Sequence, residues 1–235
     1  MKYLVFDTGS IISFAMNNLL FSLKDLKTRF GGEFIITEAV HQELVEHPMQ
    51  TKRFKFEALQ VLKVIKEGTI TVYKNEQLGP LTQDLLSKAN ASCLAHHHPM
   101  QIVSLGEIEA LAATIILKGE ALVVDERTTR LLVEDPAALA LHMSKKLHTT
   151  VKLDQAALGS FRSQTKDVKI IRSTELALIA YEKGLLDPFL GDYPRSTLIE
   201  AFLWGLKLNG CAISEEEILR LIATETALPT GKSTS

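Results

Sequence analysis

Apolar residues recur along this chain in two rhythms, short unbroken runs and longer stretches at helical spacing. YLVF at 3–6 is a run of the first kind and predicts a strand buried on both faces. The stretch IISFAMNNLLFSLKDL that follows has the helical period. GGEFIIT returns to strand, with Gly31 and Gly32 as the break before it, and Thr37 is placed to N-cap a helix over EAVHQELVEH that Pro48 closes. Residues 52–66 read as helix, TITVY at 69–73 as strand and 81–95 as helix again, with HHHPMQIVS as a loop. A helix is expected over 106–118, stopped by Gly119, and then the strand ALVV, ending on Asp125. ERTTRLLVE begins the next helix, and Pro136 suits the first turn of another. VKII at 168–171 is the last expected strand, followed by the helix TELALIAYEKGLLD. Beyond Pro188 the pattern is helical only, with Gly210 as a terminator and Ser214 and Glu217 at capping-box spacing before ILRLIA.

Strands that alternate with helices predict an α/β fold, a three-layer sandwich with a mostly parallel central sheet covered on both faces. The domain reading is a main unit at 1–187 with an insertion at about 136–167, a C-terminal helical extension at 188–226 and a frayed tail at 227–235. Ligands in such folds bind at the carboxyl ends of the strands. Asp7 and Asp125 each end a strand at that edge, so they can meet across a long stretch of sequence.

Composition narrows the function classes. With 235 residues and 46% apolar content the chain can fill a core. Its 26 basic and 28 acidic residues leave a net charge of −2, so any nucleic acid must be held by a local basic groove and not by bulk charge. Two cysteines, Cys93 and Cys211, make neither a disulfide framework nor a CxxC zinc site and fit a reducing cytoplasm. The apolar run at the start is too short for a secretory signal, and no run reaches the roughly 18 residues of a membrane span. The expectation is a soluble cytoplasmic protein with no membrane partner.

The stretch SLGEIEALAATIILKGEALVVDERTTR, residues 104–130, is apolar yet holds four carboxylates. At about 100° per residue, Glu107 shares a side of its helix with Thr114 and Lys118 and reads as solvated, whereas Glu109 shares the apolar side with Ala112, Ala113 and Ile116. A carboxylate there is costly unless a cation compensates it. The same wheel puts Glu43 on the border of an apolar stripe, beside Val40 and His47. Asp7, Glu43, Glu109 and Asp125 thus form a candidate quartet of hard oxygen ligands, which suits Mg²⁺ or Mn²⁺.

In this order and spacing VFDTGSIISF, IITEAVHQELVE, LGEIEALAAT and LVVDERTTRLL resemble the PIN domain, the fold of VapC-type toxin ribonucleases, and most closely the subgroup with a GExEA helix and a DDRxAR-like turn. The resemblance covers residues 1–135 well and 168–186 loosely. It implies a Rossmann-like PIN fold and a metal-dependent endonuclease acting on RNA. Asp7, Glu43, Glu109 and Asp125 would be the four acids that bind the ions and carry catalysis. Where relatives often have Ser or Thr two residues after the first aspartate this chain has Gly9, leaving Thr8 or Ser10 to supply a hydroxyl. Glu126 stands where relatives often carry a second aspartate. Thr128, Arg127 and Arg130 become candidates for phosphate contacts, a homodimer is expected, and the further partner would be an antitoxin or an RNA-processing complex.

Other readings stay beside these. A noncatalytic PIN module that binds RNA or protein is the alternative function. Asp7 and Asp125 can each serve as helix caps. His96, His97 and His98, adjacent before a proline, read as a solvated loop, and GKST near the C-terminus lacks the glycine and helix of a phosphate loop. A haloacid-dehalogenase phosphatase would need an aspartate where Gly9 stands, and GSIISF is not a dinucleotide-binding turn. TKRFKFE at 51–57 alternates bases with Phe54 and Phe56, either to line an RNA channel or simply as a helix with one core side.

Overall fold

The computed structural model of the protein describes residues 1–227; the segment from Leu228 on, with GKST and nearly all of the expected tail, lies outside the described residues. The chain runs β1 (Tyr3–Phe6), α1 (Thr8–Met16), α2 (Ser22–Phe30), β2 (Glu33–Thr37) and α3 (Glu38–His41). A π-helical turn, Gln42–Glu46, continues α3 into α4 (His47–Met49). Next come α5 (Lys55–Lys66), β3 (Thr71–Tyr73), α6 (Leu78–Ala91), β4 (Cys93–Ala95), β5 (His98–Pro99), α7 (Leu105–Leu117) and β6 (Ala121–Val123). The remainder is α8 (Arg127–Glu134), α9 (Pro136–Leu147), β7 (Val151–Leu153), α10 (Gln155–Thr165), β8 (Ile170–Ile171), α11 (Ser173–Glu182), α12 (Arg195–Leu208) and α13 (Glu215–Ala227).

Five strands form a parallel sheet in the order β3-β2-β1-β6-β8, flanked by helices. The chain moves outward from β1 through β2 to β3, then resumes on the other side of β1 with β6 and β8. That reversal makes the carboxyl ends of β1 and β6 the topological switch point, the place where open α/β sheets bind ligands. Val5 sits opposite Ile35 on one side and Leu122 on the other, and all three are buried, as an unbroken apolar strand requires. Helix α7 lies against β1, β2 and β6 with α6 packed on it, while α1 packs with α5 and α11. One apolar core runs from Leu4 to Ile218.

Helix α7, β6, α8 and α9 follow the sequence expectation closely, and Asp135 caps α9 by accepting the Ala138 N–H ahead of Pro136. The single helix expected after β1 is instead two. Asn18 adopts a left-handed conformation (φ 55°) and the Leu19 N–H returns to the Phe14 carbonyl, which ends α1 before Leu20 can extend it. The loop at HHHPMQIVS begins as a tight hairpin with His96 and His97 at its tip, and β4, which ends the helix expected over 81–95, pairs antiparallel with both β5 and β7. Residues 136–167 therefore contribute α9, β7 and α10, with β7 an edge of this second sheet.

Helices α12 and α13 pack onto the rest of the chain. Ile199, Phe202, Leu203, Leu206 and Ile218 are buried in the common core. Arg172, just after β8, bonds Glu217 on α13 through both terminal nitrogens (2.5 and 3.1 Å) and also pairs with Glu175. Ser214 accepts the Glu217 N–H as the capping spacing predicts. No helix of the described residues is long and apolar enough to cross a membrane.

Candidate active site

β1 delivers Asp7 to the switch point. Its backbone N–H donates to the Val123 carbonyl of β6 (2.9 Å), while its carboxylate caps α1 by accepting the Gly9 N–H (3.2 Å). Asp7 is only 4% exposed. Burial pushes its carboxyl up to about 7, and the nearby charges of Glu107 and Glu43 push the same way against the Gly9 and Thr8 N–H groups. The capping expected of Asp7 is real, and it leaves a buried carboxylate facing two more acids.

Glu43 is the second residue of the π-helical turn, half-buried, and its Oε2 accepts the Thr8 hydroxyl at 2.6 Å. It also lies close against Gly106: a Cβ added there would be 2.8 Å from Glu43 Oε1. π-Turns widen the helix by one residue and often accompany functional side chains. Here the turn brings Glu43 to the start of α7.

On α7 both glutamates are half-buried, where the wheel expected Glu107 in solvent and Glu109 inward. Glu107 sits in the first turn, its N–H on the Ser104 hydroxyl (3.3 Å) and its carboxylate bonded by the Thr129 hydroxyl. Burial raises its pKa, and the charge of Glu126 contributes. Glu109 turns elsewhere, and its Oε1 accepts the Ala39 N–H at 3.2 Å, satisfying a free donor in the first turn of α3. Glu109 thus props the helix that carries Glu43. The wheel misjudged the pair because α7 is packed on nearly every side, with Ile108, Ala110, Leu111, Ala112, Ala113 and Thr114 all buried. No single wet face exists to assign. The usable signal was position along the helix: α7 feeds the parallel strand β6, so it starts at the carboxyl edge of the sheet, and Glu107 is nearer that start.

Asp125 stands at the carboxyl edge as expected but is closed in. Its Oδ2 accepts the Ser13 and Ser173 hydroxyls (2.5 and 2.7 Å), its Oδ1 accepts the Ser173 N–H (2.8 Å), and its carbonyl accepts the Ala212 N–H (3.2 Å). At 3% exposure it joins β6, α1, α11 and the segment before α13. Cys211 lies beside it, its thiol pushed up to about 12 by burial and by the Asp125 charge. The two strand-end aspartates still border one small space, because a Cβ on Gly9 would lie 3.5 Å from Asp7 Oδ2 and 3.8 Å from Asp125 Cβ.

The expected substrate contacts divide similarly. Ser10 is buried and its hydroxyl donates to the carbonyls of Asp7 and Val123 (2.7 and 3.2 Å), so it ties β1 to β6 and cannot reach a ligand. Thr8 is committed to Glu43, and the buried Thr128 donates to Glu126 (2.8 Å). Arg127 and Arg130 are half-buried on α8, the first close enough to His142 to help burial lower that imidazole's pKa, the second near Glu217.

None of Asp7, Glu43, Glu107, Glu109 or Asp125 forms an ion pair among the described residues. Nor do three His, Cys, Asp or Glu side chains among them converge into a ready metal cage. For a divalent cation the donors at Asp7, Glu43 and Glu107 fit in type and charge: hard oxygens, mutually repelling and without a counter-cation. Asp125 is the most engaged, its carboxylate accepting three hydrogen bonds, while Asp7, Glu43, Glu107 and Glu109 each accept one. Comparison with family models, curated proteins and solved structures finds no match for this chain.

Proposed function

We propose that this chain is a metal-dependent endoribonuclease of the PIN type that hydrolyses RNA phosphodiester bonds at the Asp7–Glu43–Glu107 cleft. The observation that carries this reading is Asp7. A buried carboxyl at the topological switch point, pushed toward neutrality by burial and by two acidic neighbours, has no cationic partner among the described residues. The order of motifs that resembles the PIN domain supports the same reading.

Mg²⁺ or Mn²⁺, when bound, would supply charge neutralisation at the scissile phosphate and a more acidic water. Asp7, Glu43 and Glu107 would hold it. The remaining steps fall to groups of this chain. Thr8 and Thr129 orient Glu43 and Glu107 by hydroxyl bonds to their carboxylates. Gly106 has no side chain, which lets the Glu43 carboxylate lie directly against the start of α7. Arg127 and Arg130, on the helix that follows Asp125, are the cations suited to flanking phosphates. Asp125 positions the crevice by joining four elements.

The test is Mn²⁺-dependent cleavage of total RNA by the parent and by Asp7→Asn and Glu107→Gln, with loss of cleavage in both variants expected. Unchanged cleavage by Asp7→Asn overturns the reading. The saturated carboxylate of Asp125 and the lack of a preformed cage favour a second reading, a noncatalytic module that binds RNA or a protein. Such a module would be insensitive to Mn²⁺ in both stability and RNA turnover.

A further inference from the structure

The segment TKRFKFE lies between α4 and α5, and Thr51 through Phe56 are all exposed. Phe54 is 39% and Phe56 68% exposed, and Lys52, Arg53 and Lys55 alternate with them without an ion pair among the described residues. Phe54 has φ 60° and ψ 13°, a left-handed conformation that a bulky side chain adopts only at a cost. The surroundings enforce it. The Thr51 hydroxyl donates to the Pro48 and Arg53 carbonyls (3.1 and 2.8 Å), and the Phe54 carbonyl accepts the Ala58 N–H (3.0 Å) to start α5. The Arg53 guanidinium lies over the Phe54 ring, 4.6 Å from its centre. Phe54 also borders a small cavity that Glu43, Leu44 and Pro48 line, so the strained aromatic and one acid of the cleft share a wall.

Phe56 gives most of its ring to solvent, and Phe54 leaves over a third of its surface exposed on a backbone conformation that costs energy. Aromatic rings interleaved with unpaired cations suit a chain that offers flat π-faces and a phosphate at every step. We infer that Lys52–Phe56 is a subsite for unpaired RNA in which Phe54 and Phe56 stack bases next to the cleft while Lys52, Arg53 and Lys55 hold the adjoining phosphates. A paired base has its faces covered by its neighbours, so this subsite favours an unpaired strand. Its place beside the reacting phosphate rests on the nuclease reading; its binding does not.

Binding of a labelled oligouridylate and of a hairpin duplex of equal length, followed by fluorescence anisotropy in EDTA, separates the two. The parent binds the unpaired strand more tightly than the duplex. Phe56→Ala and Phe54→Gly, the latter suited to the left-handed backbone, each weaken that binding by about fivefold or more, whereas Phe56→Trp restores it. No binding by the parent, equal affinity for the duplex, or parent-like affinity of Phe56→Ala and Phe54→Gly overturns the inference. Unpaired-strand binding lost in these two variants, with no cleavage on adding Mn²⁺, overturns the nuclease reading alone.

Discussion

Asp7→Asn should make the cation-free protein more stable at pH 8. The Asp7 carboxyl titrates at 3.8 in an unstructured chain and at about 7 in the fold. Between those values the native state binds more protons than the unfolded one, so stability falls as pH rises from about 4 to about 7. At 1.36 kcal/mol per pH unit this interval amounts to about 4 kcal/mol, and entry of water into the crevice reduces it to about 2–4 kcal/mol. Asparagine keeps the contact the fold uses, since its Oδ1 can accept the Gly9 N–H, and it removes the charge that Glu107 and Glu43 repel. For a chain of this size the gain is roughly 5–15 °C in melting temperature. Urea and thermal unfolding at pH 5 and pH 8 in EDTA would measure it, the parent weakening toward pH 8 by more than the variant. Adding Mn²⁺ should stabilise the parent by mass action and leave the variant unmoved. A variant less stable than the parent at pH 8 in EDTA would refute the buried-charge argument, whatever the protein's activity.

The two glutamates of α7 should separate. Glu107→Gln abolishes Mn²⁺-dependent RNA cleavage with little loss of stability, while Glu109→Gln keeps activity within about tenfold and costs about 1 kcal/mol in urea unfolding by weakening the bond to the Ala39 N–H. Gly106→Ala should move the Glu43 carboxylate more than the backbone, because the added methyl meets a flexible side-chain end; cleavage falls at least about tenfold with unfolding close to the parent's. On the acid side, bonding to Arg172 holds the Glu217 carboxyl below its ordinary 4.5, so the stability it contributes is present above that pH and lost as pH falls through the lower folded value. Glu217→Gln therefore flattens the acid limb of the stability profile, measured by urea unfolding between pH 3 and 6, and an unchanged limb counts against the link between α13 and β8.

The strand-end aspartates were the most legible part of the site, because an apolar run ending in a carboxylate carries its own signal. YLVF before Asp7 and ALVV before Asp125 sufficed to place both residues at the carboxyl edge of a parallel sheet, and Thr37 and Pro136 marked helix starts that the fold uses. The Glu43 side chain was legible as poised inward, although the π-turn that carries it was not, since a uniform wheel has no place for an inserted residue. The small antiparallel sheet was also hidden, because β4, β5 and β7 are two or three residues long and their pairing joins segments far apart in the chain.

The sequence by itself determined the alternation of strands and helices, the acidic character of the sheet edge and the basic, aromatic segment at 51–57, because each is written in local spacing and side-chain type. Tertiary structure alone decided how each carboxylate is engaged. The charge of Glu107 reaches Asp7, while Glu109 bonds the Ala39 N–H of α3. Asp125 is sealed because Ser13, Ser173 and Ala212 reach it from three other parts of the chain. Those donors follow from packing, to which no local pattern around Asp125 refers.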